Sequence, residues 1–175
     1  MKNENLNNFV QELSKNWGEL SSSLTLKTKQ LLEELGRTCL HEDWYLELVK
    51  DRDPAKQIYK SEEHGFVLMG HVEGKDEISP PHDHGNGWVL YLTVEGQVNM
   101  GIFHKIIRSD GSLQLVQKDE YPLKAGQCCV YLPGDIHHTH AKEDTTVTLR
   151  LTSCDFNDEV KEGRLVRFMQ PVNKW

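Results

Sequence analysis

Nine histidines occur among the 175 residues, and five of them fall in two short segments. The first segment, PPHDHGNGWVLYLTVEG over residues 80–96, sets His82 and His84 two positions apart. Alternate side chains of an extended backbone share a face, so both imidazoles can offer a nitrogen to one ion. Such a pair is weak evidence alone: at this histidine content about half an HxH is expected by chance, and His138 and His140 form another. In the second segment, AGQCCVYLPGDIHHTHA over 125–141, Gly126 opens a strand-like run, Pro133-Gly134 turns the chain and His137 follows Ile136. If His137 faces inward, His138 and His140 face outward; a register shift of one residue would exchange them with His137. His41, His64, His71 and His104 have no ligand-spaced neighbour and read as ordinary histidines.

The elements that must position these side chains change character near residue 53. Before it, apolar residues recur at helical spacing: Leu6, Phe9, Val10, Leu13 and Trp17 form one stripe, and Leu24, Leu31, Leu32 and Leu35 a second. The second stripe is opened by Ser21-Ser22-Ser23 and closed by Gly36; a third short helix is expected at 42–49, before Asp53-Pro54. Amphipathic helices must lay their apolar face on something, and the outside of a sheet is the natural partner. After residue 53 the period becomes two, with strands expected at 57–60, 66–73, 88–94, 97–107, 113–118, 127–132, 145–152 and 164–169. Turn residues separate them, among them Glu95-Gly96, Ser109-Asp110-Gly111 and Lys124-Ala125-Gly126. The reading is a helical extension over 1–53 and a mainly β domain over 54–175, a sandwich or small barrel of jelly-roll type.

The bulk properties exclude several roles. A net charge of −7 disfavours a nucleic-acid or anionic-membrane surface, and no apolar run is long enough to span a bilayer. The polar N-terminus lacks the apolar core of a signal peptide, and the four cysteines form no CxxC pair; a soluble, cytoplasmic protein with reduced thiols is expected. Cys128 and Cys129, adjacent on a strand, must face opposite sides.

Together the two segments resemble the paired motifs of the cupin superfamily. The first motif matches His82, His84 and Gly96; the second matches Gly126, Pro133-Gly134 and His137. The resemblance covers roughly residues 55–155 and implies a cupin-type jelly-roll barrel holding one metal ion through His82, His84 and His137. Many cupins add a glutamate four or five residues after the second histidine, where this chain has Trp88 and Val89. Three neutral imidazoles leave open positions on the ion, which suits Fe(II) and disfavours a closed structural zinc site. Zinc or nickel can still occupy such a site in a purified sample, because raw affinity ranks them ahead of iron.

A three-histidine cupin with HDH closely followed by tryptophan is similar to the thiol dioxygenases, which include cysteine dioxygenase and the 3-mercaptopropionate dioxygenases. That likeness implies oxidation of a small thiol to a sulfinate by O2. This chain departs from the group twice. The Ser-x-His-x-Tyr relay is replaced by Thr148, Arg150 and Thr152, and the arginine that clamps an amino-acid carboxylate gives way to Gln57, Tyr59 and Lys60. Cysteine itself is therefore not the expected substrate. An inward Arg150 could take a carboxylate or phosphate, although an arginine on a solvated strand face is as ordinary a reading. Tyr91 or Tyr59 could supply the missing phenol. The expected site has Tyr91 as its catalytic phenol, Arg150, Tyr59, Lys60 and Trp88 on the substrate, and His140 behind the ligands or at the surface. A carbon acid such as a β-diketone, or a ligand-sensing role without turnover, are the competing functions. The helical extension suits either a lid or a homodimer contact.

Overall fold

The computed structural model describes residues 3–168. Three helices come first: α1 (Glu4–Asn16), α2 (Ser22–Thr38) and α3 (Asp43–Asp51). The serine run starts α2 as expected, with the Ser21 hydroxyl accepting from the Leu24 amide at 3.3 Å. Just before α3, the buried carboxylate of Glu42 accepts from the amides of Asn5 (2.6 Å) and Leu6 (3.2 Å) and from the Trp44 indole (2.6 Å). One helix is thus capped from the threshold of another, where a negative charge also favours the helix N-terminus.

Eight strands follow: β1 (Lys56–Lys60), β2 (Val67–Glu73), β3 (Val89–Glu95), β4 (Gln97–Ile107), β5 (Leu113–Lys124), β6 (Cys128–Tyr131), β7 (Ile136–Ala141) and β8 (Thr146–Thr152). They form two antiparallel sheets, ordered β1-β2-β8-β3-β6 and β5-β4-β7. The sheets face each other across a shared inner cluster, as a small jelly-roll-type barrel, with the N-terminal helices on the outside of the larger one. Two expectations need correction. β7 is not among the strands that alternation picks out, because its sequence, IHHTHA, carries no aliphatic rhythm. Conversely, 164–169 holds no strand within the described residues: Arg167 makes one isolated bridge to His82, and Met169 lies outside them. A short helix, α4 (Phe156–Lys161), capped by Asp155, precedes that stretch.

The larger core lies between the helices and the outer face of the five-stranded sheet. Leu32, Leu35 and Leu48 pack there with Leu90, Leu92, Leu149 and Leu151, all fully buried, and each such side chain contributes roughly 1.5–3 kcal/mol. Gly70 permits the approach of α3, since a Cβ there would collide with the Leu48 side chain. β8 shows the division: Val147, Leu149 and Leu151 face the helices, while Thr148, Arg150 and Thr152 alternate to the other side. Cys128 and Cys129 separate likewise, one into the outer core and one toward the smaller cluster of Val89, Tyr91, Val98, Met100, Leu123 and Tyr131 inside the barrel. No helix among the described residues is long and apolar enough to cross a membrane.

Candidate metal centre

The stretch leading to the first histidine pair runs antiparallel along β7. Ser79 donates to the Thr139 carbonyl at 3.0 Å, and His82 and His137 exchange backbone hydrogen bonds of 2.9 and 3.1 Å. Directly opposed residues of this kind carry their side chains on the same side, and the two rings lie 4.7 Å apart. His84, two positions on, joins them, its ring 5.1 Å from that of His82 and 4.9 Å from that of His137. Asp83 between them points away, accepting from the Val166 amide at 2.8 Å and lying 3.4 Å from the Lys105 ammonium. A turn closed by Gly87 N–H to the His84 carbonyl at 3.0 Å then leads into β3.

One nitrogen from each of His82, His84 and His137 lies within 4.8 Å of the others, and among the described residues no carboxylate joins the group. The Nε2 atoms of His84 and His137 approach to 3.1 Å. His82 Nδ1 sits 2.9 Å from the Pro80 carbonyl; a carbonyl only accepts, so Nδ1 carries the proton and Nε2 keeps its lone pair. Tyr131 stacks on His137 at 4.0 Å and 12°, its hydroxyl 2.9 Å from that of Tyr121, while Phe156 stacks on His84 at 5.2 Å. The rings are therefore held by packing on both sides.

Burial lowers the pKa of all three imidazoles. It takes His84 to about 3, with His82 adding to the effect, and leaves His137 well below its ordinary value. They are neutral at physiological pH, the state in which imidazole ligates a metal. The Nδ1 atoms of His84 and His137 are buried without a hydrogen-bond partner among the described residues. Three such neutral rings crowded together, each with a lone pair available on one nitrogen, fit a cation.

A cavity of about 310 Å³ opens beside His82. Its wall includes Tyr91, Arg150, Thr148, His71 and Glu73 from the barrel, and Phe156, Asn157, Val160, Leu165 and Arg167 from the C-terminal stretch. Arg150 faces inward. Its Nε is buried without a hydrogen bond, and its guanidinium lies 5.7 Å from the Phe156 ring centre and forms no ion pair among the described residues. Tyr91 is its direct neighbour across β3 and β8, with a ring 5.1 Å from that of His137. Burial raises the Tyr91 hydroxyl pKa and the Arg150 charge pulls it the other way; the first effect wins and the phenol stays protonated.

Four other expected site residues lie elsewhere. Trp88 faces the helices and stacks on Trp17 at 5.5 Å, so it backs the histidine loop without reaching the cavity. Tyr59 follows a bulge in β1 and turns toward Phe66, 5.9 Å away. Lys60 pairs with Asp155 at 2.8 Å. His140 lies on the outer side of β7, 3.3 Å from Asp76 and within reach of Lys142, so it supports no ligand. His138, also outward, packs over Gly101 and lies 3.7 Å from Glu120. The residues that sequence reasoning passed over are Tyr131, His71 and Glu73. The last two were open to detection, since the alternation of β2 that buries Leu68 and Val72 on one side turns His71 and Glu73 to the other.

No protein-family model matches the chain, and no curated protein matches it in sequence. Among solved structures, the chain is similar to an oxalate oxidase in complex with its substrate analogue glycolate. The identity is 18% and the TM-score 0.39, over 50% of this chain and 41% of that one. It is also similar to KdgF from Halomonas sp., at 14% identity and TM-score 0.44 over 56% of this chain and 74% of that one. The Schizosaccharomyces pombe Cnp3 cupin domain matches at 8% identity and TM-score 0.46, over 63% and 66%. The chain thus spans less than half the length of the oxalate oxidase.

Proposed function

We propose that the chain is an Fe(II)-dependent dioxygenase that converts a small thiol bearing a carboxylate to the corresponding sulfinate. The observation that carries the reading is the donor set: three neutral imidazoles with no carboxylate among them, beside a cavity that also holds a guanidinium with no ion-pair partner among the described residues. A centre ligated only by neutral nitrogens keeps its full double charge, which favours a thiolate over a thiol. When bound, Fe(II) supplies the redox chemistry that joins dioxygen to sulfur.

The chain's own residues do the rest. Arg150 presents a planar fork for the carboxylate and so orients the sulfur toward the histidines. The Tyr91 hydroxyl, protonated and beside both Arg150 and His137, is a hydrogen-bond donor for oxygen as charge develops on it. Phe156, Val160 and Leu165 give the cavity an apolar wall that limits water. The overall change balances as RSH plus O2 giving RSO2⁻ plus H⁺, with sulfur oxidised and both oxygen atoms retained.

The test is anaerobic reconstitution with Fe(II), followed by a panel of mercapto acids, β-diketones and hydroxy acids, reading oxygen uptake and product mass. One O2 consumed per mercapto acid, with a sulfinate product, supports the reading. Carbon–carbon cleavage of a diketone, or binding without oxygen uptake, overturns it.

A further inference from the structure

β2 places two polar residues on the inner face of the barrel, His71 and Glu73, and neither is needed to hold a metal. His71 Nδ1 lies 2.8 Å from the Pro54 carbonyl, which fixes the ring proton on that nitrogen. The other nitrogen, Nε2, is then a lone-pair acceptor. It is buried, it belongs to a residue of the cavity wall, and no donor among the described residues reaches it. Leaving a buried acceptor unpaired costs about 1–3 kcal/mol, so a fold that keeps one beside a cavity has a place prepared for a donor. Glu73 adds a carboxyl on the same wall, and it makes no hydrogen bond or ion pair among the described residues. The register sets the spacing. Met69 is opposite Arg150 and His71 is opposite Thr148, so His71 lies two residues from the level of Arg150, about 6.5 Å along the strand.

We infer that His71 and Glu73 form a second polar subsite of the cavity, which takes a hydrogen-bond donor of the substrate, an ammonium or a hydroxyl, while Arg150 takes its carboxylate. The inference rests on the carboxylate role given to Arg150 above. It narrows the substrate to a thiol acid with a second, donor-bearing group that is bound by the protein at a distance from the three histidines. Water is the competing occupant, and it would give no preference among carboxylates.

Direct binding to the metal-free full-length protein separates these cases without any turnover. Butanoate, 4-hydroxybutanoate and 4-aminobutanoate are titrated calorimetrically at pH 8. The amino acid is expected to bind roughly ten- to hundredfold more tightly than butanoate, the worth of hydrogen bonds to a charged group, with the hydroxy acid between them. Glu73→Gln and His71→Phe should each bring the amino acid to within about threefold of butanoate, whereas Arg150→Gln should weaken all three ligands alike. If His71→Phe fails to fold, Glu73→Gln, a near-isosteric change, decides alone. Equal affinities for butanoate and 4-aminobutanoate in the wild-type protein would overturn the inference. Intact discrimination in a protein whose iron form oxidises no thiol would sink the dioxygenase reading and leave the subsite standing.

Discussion

Replacing Arg150 with methionine tests whether the guanidinium belongs to the substrate or to the fold. Methionine replaces the apolar stem of the arginine as far as Nε, so that part of the packing is kept while the guanidinium over Phe156 and its charge are lost. Arg150 has a buried Nε without a partner and no ion pair among the described residues, so its removal breaks no salt bridge. Removing a partly buried charge that has no ion-pair partner is neutral or mildly stabilising, and losing the contacts with Phe156 and Tyr91 offsets about 0.5 kcal/mol. The net change in stability should lie between zero and a gain of about 1 kcal/mol, a rise in Tm of at most roughly 4 °C for a chain of this size. Binding should respond in the opposite direction. Two charge-assisted hydrogen bonds to a carboxylate are worth about 3 kcal/mol together, so KM for a mercapto acid should rise about 100-fold. Thermal melts and steady-state oxygen uptake read the two effects on one protein sample. A Tm lowered by 8 °C or more, with KM unchanged, would show that Arg150 supports the fold and would refute the reasoning.

Three further outcomes are expected. Burial, followed by Glu77, raises the Glu73 carboxyl from its usual 4.5 to about 7, against the pull of Arg150. The folded state therefore binds the extra proton, so the Glu73 contribution to stability is fully present below pH 4.5 and is lost as pH rises to about 7. Glu73→Gln should accordingly leave stability unchanged at pH 4 and raise it by roughly 1–2 kcal/mol at pH 8, discounted for water in the cavity; paired urea melts check this, and equal gains at both pH values would contradict it. His137→Ala should abolish retention of Fe(II) after desalting, measured by elemental analysis, while His138→Ala, which removes an outward ring beside Glu120, should retain it. The reverse pattern would mean that the register of β7 is wrong by one residue. Glu42→Ala strips the acceptor from two α1 amides and the Trp44 indole and should destabilise the protein by about 2–4 kcal/mol in chemical denaturation. A loss below about 0.5 kcal/mol would show those donors to be solvated.

Much of the site was legible in the chain because period-two geometry is rigid. His82 and His84 share a face by spacing alone, and the outward placement of His138 and His140 follows once His137 is inward. The apolar stripes of α1 and α2 announced helices that needed a sheet to cover, and Leu32 and Leu35 do pack against it. Other features depend on register between distant segments, which no local pattern encodes. Trp88 is adjacent to the histidine loop in sequence, yet strand parity turns it to the helices. Tyr59 was displaced by a bulge in β1, an irregularity of one residue. β7 carries no alternation to find, since its pairing is fixed by the main chain and by the approach of the 76–82 stretch, while the four side chains between Ile136 and Ala141 are all polar. His71 was set aside for want of a neighbour at ligand spacing; its acceptor nitrogen is defined only by the Pro54 carbonyl, 17 residues away.

The outer position of the main apolar core has an evolutionary consequence. Most of the free energy that holds the sheets in place is gathered where helices meet strands, away from the lumen. Cavity-lining residues such as His71, Glu73 and Arg150 can then be exchanged at less cost to folding than the residues of that outer core. A lineage built on this scaffold can drift in chemical preference faster than in architecture, and descendants that share its shape can come to act on unrelated molecules.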